Sequence, residues 1–175
     1  MNIRPATIAD LEHCEALDAS YTTQHIWQME ERATREEISI SFRRVRIPRP
    51  LEVEYPRRPD RLLDHWRQRE CLLVAEEDGT TLGYLDMLVH REAWQGWIEH
   101  LLVDRAFRHR GVASTLLQGA EHWARGSELD AVVAVVQSKN DPAIQLFVGR
   151  GYRFCGFIDH YYPNGDIGML YILDL

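Results

Sequence analysis

The 175-residue sequence has almost no lysine, few cysteines and no long apolar run. Its positive charge comes from arginine, since Lys139 is the only lysine. Cys14, Cys71 and Cys155 are scattered without metal-ligand spacing, whereas a secreted disulfide framework usually has a larger, even number. No stretch approaches the roughly 20 apolar residues of a membrane helix, and residues 1–5 lack the apolar core of a signal peptide. We therefore expect a cytoplasmic protein that spans no membrane.

The charge balance is acidic, with a formal net charge of −7 at pH 7 and a pI near 5.6. Because nucleic-acid-binding proteins usually carry a basic surface, we expect no nucleic-acid partner. An acidic surface favours cationic substrates, though weakly. The hydrophobic fraction of 45% and the charged fraction of 27% are ordinary for a globular protein. The length suits one domain, which we expect to span residues 1–175.

Arginine and proline are concentrated in one part of the chain. Much of the positive charge lies between Arg43 and Arg69, and this basic segment either binds an anionic partner or forms a solvated face paired with acidic neighbours. Prolines interrupt any helix over residues 43–59, so we expect an extended or looped insertion at about residues 40–60. These prolines are Pro48, Pro50, Pro56 and Pro59.

The spacing of apolar residues predicts an α/β fold, in which a mixed sheet carries helices on both faces. Asp10 is a good N-cap for a helix that begins at Leu11, and Thr34 with Glu37 forms a capping-box pattern for a short second helix. Further helices are predicted over residues 60–70, 111–125 and 141–150. Turns are expected at Asp78-Gly79 and Gln95-Gly96. Strands are predicted over residues 3–6, 71–75, 82–90, 97–103, 131–136, 152–160 and 167–173.

Residues 101–114 have the character of an anion-binding site. They run from an apolar strand through a basic, glycine-containing loop into the first turn of a helix. The free N–H groups and the dipole of a helix N-terminus favour negative charge. Gly111 allows the backbone to approach a phosphate closely, and Arg108 and Arg110 add positive charge. This loop could hold a pyrophosphate, although many phosphate-binding loops share these features.

Two motifs in this region resemble those of the GNAT acetyltransferase superfamily. Arg108-x-x-Gly111-x-Ala113 resembles the family signature Gln/Arg-x-x-Gly-x-Gly/Ala, and it follows a strand that ends at Val103. The second motif follows at the expected distance and comprises Asn140, Ala143, Leu146 and Phe147, then Gly151 and Tyr152. The strong resemblance covers about residues 93–157. It implies a GNAT-like, mostly antiparallel sheet whose fourth and fifth strands splay apart around acetyl-CoA, a co-substrate, with no metal.

The resemblance also implies binding roles. The backbone of Leu101, Leu102 and Val103 would pair with the acetyl group and the pantetheine arm like an added strand. Asn140 and the helix after it, which includes Phe147, would line the other wall. The loop amides that would hold the pyrophosphate belong to Arg108, His109, Arg110, Gly111, Val112, Ala113 and Ser114.

Glu99 is the candidate general base. Acetylation requires a neutral amine, and an amine of pKa near 10.4 must first lose a proton. Glu99 lies in an otherwise apolar strand, four residues before Val103. Polyamine acetyltransferases look similar here and have their catalytic glutamate at this position. The alternative is a glutamate that faces solvent or pairs with an arginine of the insertion. His100 points to the opposite face if the strand is regular, which favours a structural role.

The general acid is less clear. Many family members have a tyrosine where this chain has Phe147. A thiol of pKa near 8.5 can leave unprotonated, and Tyr162, beside Tyr161, is the nearest substitute hydroxyl. The alternative is that both tyrosines serve only as packing residues. The Tyr-Tyr pair resembles the substrate-side hairpin of protein N-terminal acetyltransferases. However, Val135 stands where the ribosomal-protein enzymes have a strand glutamate, which weakens the case for a peptide substrate.

These patterns predict an N-acetyltransferase that acts on a primary amine of a small molecule or peptide. Two alternatives remain open: an enzyme for protein N-termini or lysine side chains, and a catalytically silent acyl-CoA-binding regulatory module. A homodimer is possible, with Trp27, Trp94 and Trp97 as candidate interface residues.

Overall fold

A seven-stranded mixed sheet forms the centre of the computed structural model, which describes residues 1–56, 62–68 and 70–175. Its strand order is β1-β4-β5-β6-β7-β9-β8, and β2 and β3 form a separate two-stranded sheet. The strands are β1 (Asn2–Pro5), β2 (Tyr21–Ala33), β3 (Ile38–Val53), β4 (Cys71–Glu77), β5 (Thr80–His90), β6 (Gln95–Val103), β7 (Ala131–Gln137), β8 (Arg153–Ile158) and β9 (Gly168–Asp174). The α-helices are α1 (Ile8–Ala16), α2 (Leu62–Arg67), α3 (Val112–Gly126) and α4 (Asp141–Gly149).

The large sheet is mostly antiparallel. Among the described residues, β6 and β7 are the only neighbouring strands of this sheet that pair in parallel. α3 and α4 cover one face, where Leu116 and Ile144 are fully buried. α1 and α2 cover the other, where Cys14 and Leu62 are fully buried. The predicted α/β mixed sheet with helices on both faces is confirmed. None of the helices in the described ranges has the length and apolar character that crossing a membrane requires.

Local turn chemistry explains the central meander. Asp78 and Gly79 both have positive φ, 51° and 77°, and they join β4 to β5 as the sequence predicted. The next turn was misplaced. It lies at residues 91–94, where Trp94 takes the left-handed conformation, and Gln95 already belongs to β6. Strand β7 is nearly all apolar because it is covered on both faces.

The first helix begins earlier than predicted. α1 starts at Ile8, and Thr7 occupies the N-cap position that the sequence analysis gave to Asp10. Asp10 instead lies at the third helical position, and its carboxylate accepts the Thr7 backbone N–H at 2.7 Å. A carboxylate at the third helical position closes a capping box. Asp10 therefore does cap the helix, but from the third helical position and not from the N-cap position that the sequence predicted. Arg4 also donates to this carboxylate, at 2.8 and 2.9 Å.

The capping-box pattern at Thr34 and Glu37 does not start a helix. Thr34 accepts the Glu37 N–H at 3.0 Å through its hydroxyl, and this contact closes the turn between β2 and β3. The same hydroxyl chemistry serves helix starts and hairpin turns, which explains the error. The segment predicted to be extended forms most of β3, and its partner β2 was not predicted. The remaining helix, predicted over residues 60–70, is present as Leu62–Arg67, while residues 57–61 and 69 lie outside the described residues.

The β2–β3 hairpin docks on α4 through a buried carboxylate. Asp141 accepts from Trp27 Nε1 at 3.1 Å and from the Arg44 guanidinium at 2.8 Å through each oxygen. Burial alone would raise the pKa of Asp141, but hydrogen bonds from Arg44, Gln145 and Trp27 hold it below its ordinary value. Arg43 also forms an ion pair, with Glu30. For these two arginines of the basic segment, pairing with acidic neighbours is therefore the observed arrangement.

Candidate active site

The site is a cleft where two parallel strands separate. Pairing between β6 and β7 runs from Gln95–Ala131 to Ile98–Ala134 and then stops. Beyond that point β6 continues beside β5 and β7 continues beside β9. The separation leaves a cavity of about 360 Å³ between the strands. The backbone edge of β6 beyond Ile98 faces this gap, so it can accept an extended ligand as an added strand.

Most residues chosen from the sequence line this cavity. The exception is Arg110, which lies outside the lining. The predicted residues that border the cavity are Glu99, Leu101, Leu102, Val103, Arg108, His109, Gly111, Val112, Ala113, Ser114, Asn140, Phe147 and Tyr162. The structure adds Tyr21, Tyr55 and Gln137, which no motif indicated. The described residues hold no cluster of three or more His, Cys, Asp or Glu side chains suited to a metal ion.

The N-terminus of α3 forms one end of the cleft. Gly111 caps the helix with φ of 83°, and a Cβ there would meet nothing within 4 Å. The first helical hydrogen bond runs from the Thr115 N–H to the Gly111 carbonyl at 3.0 Å. The amides of Val112, Ala113 and Ser114 are therefore not used within the helix. They border the cavity, and together with the helix dipole they form an anion-binding end.

The two loop arginines have partners in the protein. Arg108 donates to the carbonyls of Val103 at 3.0 Å, Ser20 at 2.6 Å and Asp18 at 2.7 Å. It therefore ties the segment after α1 to the end of β6 and fixes the mouth of the cleft. Arg110 pairs with Glu77 at 2.9 Å. Both guanidinium groups add positive charge near the loop, while the backbone amides at the start of α3 are left available to an anion.

Glu99 projects from a β-bulge. On β5, the consecutive residues Asp86 and Met87 pair with His100 and Ile98 of β6. Glu99 lies between these two partners and has none of its own in the register, so it is the extra residue of the bulge. A bulge redirects the side chain of the extra residue, and here the half-buried Glu99 borders the cavity. The strand is thus not regular at this point. His100 is buried, 7% exposed, beside its cross-strand neighbour Asp86.

Tyrosines surround the other end of the cleft. Tyr162 is 2% exposed, and its hydroxyl donates to the Val135 carbonyl at 3.2 Å, on the part of β7 that has left β6. Its ring contacts Tyr55 at 6.1 Å between centroids. The Tyr21 hydroxyl donates to Gln137 at 2.6 Å, and burial raises the pKa of Tyr21. Phe147, at the usual tyrosine position, is 4% exposed and packs on Tyr152.

The cavity opens beside an acidic depression. Its lining includes Asp18, Glu52, Glu54 and Tyr55, with Arg105 as the one cation among the described lining residues. Arg105 pairs with Glu52 at 3.3 Å and lies 3.9 Å from Asp18. The carboxylates outnumber the cation, so this depression, which shares Ala19, Ser20 and Tyr55 with the cavity lining, is negatively charged.

The splayed sheet, the helix start on one wall and the carboxylate on the bulge together form a site that suits an extended ligand with an anionic end. The sequence matches the acetyltransferase (GNAT) family over residues 24–152, and the chain belongs to that family. This confirms the resemblance that the two motifs indicated.

Curated relatives match parts of the chain. A streptothricin acetyltransferase of Escherichia coli is 34% identical over 59 residues, which are 34% of this chain and 34% of the relative. The N-alpha-acetyltransferase MAK3 of Arabidopsis thaliana is 32% identical over 76 residues, 43% of this chain and 40% of the relative. The chain thus spans between a third and two fifths of these two relatives.

Solved structures share the whole fold. A nourseothricin acetyltransferase superposes with a TM-score of 0.83 at 24% identity, covering 99% of this chain and 97% of that chain. A Bacillus anthracis protein assigned as a streptothricin acetyltransferase, solved in complex with acetyl coenzyme A, gives a TM-score of 0.78 at 17% identity, with the same coverage. The ribosomal-protein-S18-alanine N-acetyltransferase of Escherichia coli gives 0.71 at 13% identity, covering 99% and 92%.

Proposed function

We propose that this protein transfers the acetyl group of acetyl-CoA to a primary amine of a small molecule or peptide by direct attack. The observation that carries the proposal is the continuous cleft between β6 and β7. It joins an anion-binding helix start at one end to Glu99 and Tyr162 at the other. An extended ligand with a pyrophosphate at one end and a reactive group at the other matches this shape.

The cofactor side of the cleft supports acetyl-CoA as the proposed ligand. Open space beside Gly111 leaves room for a phosphate against the amides of Val112, Ala113 and Ser114. The edge of β6 from Leu101 to Val103 would pair with the pantetheine arm. Asn140 and Phe147 would line the opposite wall. When bound, acetyl-CoA supplies an activated thioester carbonyl at the Glu99 end of the cleft.

The acceptor side supplies the proton chemistry. We propose that Glu99 takes the proton of the acceptor ammonium, directly or through one water, so that the neutral nitrogen can form its bond to the carbonyl carbon. A backbone N–H of β6 would stabilise the oxygen as it gains negative charge. As the C–S bond breaks, the thiolate leaves. We propose that Tyr162 gives the thiolate a proton and regains one from the nitrogen as that nitrogen becomes the amide. Phe147 offers no hydroxyl for this step.

The acidic depression beside the cavity supports an acceptor that is cationic in solution. Asp18, Glu52 and Glu54 outnumber Arg105 there, and opposite charge raises the local concentration of an ammonium substrate. The relatives divide between one named for the small molecule streptothricin and one named as an N-alpha-acetyltransferase. The three cysteines are free, which supports the proposed cytoplasmic location. A homodimer remains a prediction.

An acceptor panel tests the proposal. Purified protein is incubated with acetyl-CoA and either polyamines, aminoglycoside-like amines or short peptides, and thiol release and acetylated product are both measured. We expect amine-dependent thiol release with at least one class, and the class that reacts decides between the small-molecule and peptide alternatives. Tight acetyl-CoA binding without any acetylated amine would instead support the catalytically silent module.

A further inference from the structure

A buried, hydrogen-bonded histidine–aspartate pair lies behind the acceptor end of the cleft. The Nδ1 atom of His65, on α2, is 2.6 Å from Oδ2 of Asp86, on β5. Asp86 is 0% exposed and His65 is 7% exposed. The pair lies on the α1 and α2 face of the sheet, where its surroundings include the buried ring of Tyr84. It belongs to neither sequence motif and does not line the cavity.

Burial makes this pair expensive for the fold. Among the described residues, Asp86 Oδ1 and Tyr84 Oη are buried without a hydrogen-bond partner, which adds to the cost of removing the carboxylate from water. Burial raises the pKa of Asp86, although the hydrogen bond from His65 opposes this effect. Apolar residues of similar size would be expected to stabilise such a position at least as well. Polar groups that cost stability in a core are most often found where function requires them.

The pair is connected to the bulge that carries Glu99. Asp86 is the cross-strand neighbour of His100, and the register shifts immediately after them. Ile98, before the bulge, is buried in the α3 side of the core, whereas His100, after it, contacts the Tyr84 ring on the α2 side. The direction of Glu99 therefore depends on how firmly its two neighbours are held on opposite faces.

His100 also reaches the acceptor wall. Its ring lies 6.4 Å from that of Tyr55, and the Tyr55 ring lies 6.1 Å from that of Tyr162. The Glu99 carboxylate interacts electrostatically with Asp86, since it contributes to the raised pKa of Asp86. One hydrogen bond, one cross-strand pairing and one ring contact thus link His65 on α2 through Asp86 and His100 to Tyr55 at the acceptor end of the cavity.

We propose that the His65–Asp86 pair is a positioning element of the acetyl-transfer site, which holds His100 in place and so aims the Glu99 carboxylate into the cavity. The inference rests on the proposed function. In this arrangement His65 and Asp86 touch no substrate. They act through His100 and the bulge, and their loss misdirects the base while leaving the α3 anion site intact.

Two substitutions of one residue separate this role from packing. His65→Asn keeps an N–H donor close to the position of Nδ1, whereas His65→Leu removes it. His65→Leu should lower kcat about 10- to 100-fold, because small misplacements of a catalytic group have effects of this size. The KM and Kd for acetyl-CoA should not change, and His65→Asn should recover most of the activity. His122→Leu, on the exposed face of α3, is the matched control and should behave as wild type.

A second readout does not depend on turnover. The ¹³C chemical shift of the Glu99 carboxyl carbon should move in His65→Leu and stay near the wild-type value in His65→Asn. In Asp86→Asn the lost charge also moves this resonance, so kcat is the deciding readout for that variant. If His65→Leu fails to fold, Asp86→Asn replaces it, since that substitution keeps the shape and removes a charge that burial disfavours.

The outcomes distinguish the two claims. Wild-type kcat in both disrupting variants and an unmoved Glu99 resonance in His65→Leu would overturn the positioning role and leave the proposed function standing. Absence of acetylation by wild type would contradict the proposed function, while the Glu99 resonance would still decide whether the pair positions this carboxylate.

Discussion

Replacing Gly111 by aspartate should weaken acetyl-CoA binding more than 100-fold without unfolding the protein. Gly111 has φ of 83°, so any side chain there introduces strain of roughly 1–2 kcal/mol. The site has room for the added atoms, because a Cβ would meet nothing within 4 Å. A carboxylate held about 5 Å from a bound phosphate, at an effective dielectric constant of about 20, adds about 3 kcal/mol of repulsion. That repulsion weakens binding more than 100-fold.

Gly79→Asp is the matched control for this prediction. Gly79 has φ of 77° and is equally free of neighbours within 4 Å, but it lies in the β4–β5 turn, outside the cavity lining. Calorimetric titration with acetyl-CoA should show wild-type affinity for Gly79→Asp and a large loss for Gly111→Asp, at similar melting temperatures. Equal affinity in the two variants would refute the placement of the pyrophosphate at the start of α3.

Two further predictions concern the acid and the acid stability of the fold. Tyr162→Phe removes the donor to the Val135 carbonyl, and we expect kcat to fall about 10²-fold or more, the low end for lost acid catalysis. Tyr161→Phe should stay close to wild type, and equal kcat values for the two variants in steady-state assays would exclude Tyr162 as the acid. Asp10→Asn removes the charge that Arg4 contacts, and hydrogen bonding by Arg4 holds the pKa of Asp10 below its ordinary value. A lowered carboxyl pKa contributes stability above the unfolded value of about 3.9 and loses it as the pH falls toward the folded value. The variant should therefore be about 1 kcal/mol less stable than wild type at pH 7 but should lose less stability on acidification below pH 4. Urea unfolding at several pH values measures this difference. Parallel curves of unfolding free energy against pH would contradict a lowered pKa for Asp10.

The parts of the fold predicted correctly have strong local signals. Asp78-Gly79 can form a tight hairpin turn almost by itself, and the apolar run of β7 reports burial on both faces. Gly111 marks a helix start because its backbone conformation excludes most other residues. These signals also fix the cofactor side of the cleft, since that side is made of consecutive residues in one strand, one loop and one helix start.

The parts that were missed depend on contacts distant in sequence. β2 is largely exposed and polar, so its pattern carries no strand signal, and it exists through pairing with β3. Tyr21 reaches the cavity only because this hairpin packs beside α4 and the end of β7. The bulge at Glu99 arises from the register between β5 and β6, and a single strand cannot reveal it. The acceptor side is therefore the less predictable half of the site.

Direct observation of acetyl transfer tests the central claim. The protein is incubated with acetyl-CoA labelled with ¹³C at the acetyl carbonyl, with and without an amine that reacted in the acceptor panel, and the label is followed by NMR. The account predicts that the label moves from thioester to amide only when the amine is present, about 10²-fold or more slowly in Glu99→Gln. Label that stays in the thioester with every amine, or appears only as free acetate, would contradict it.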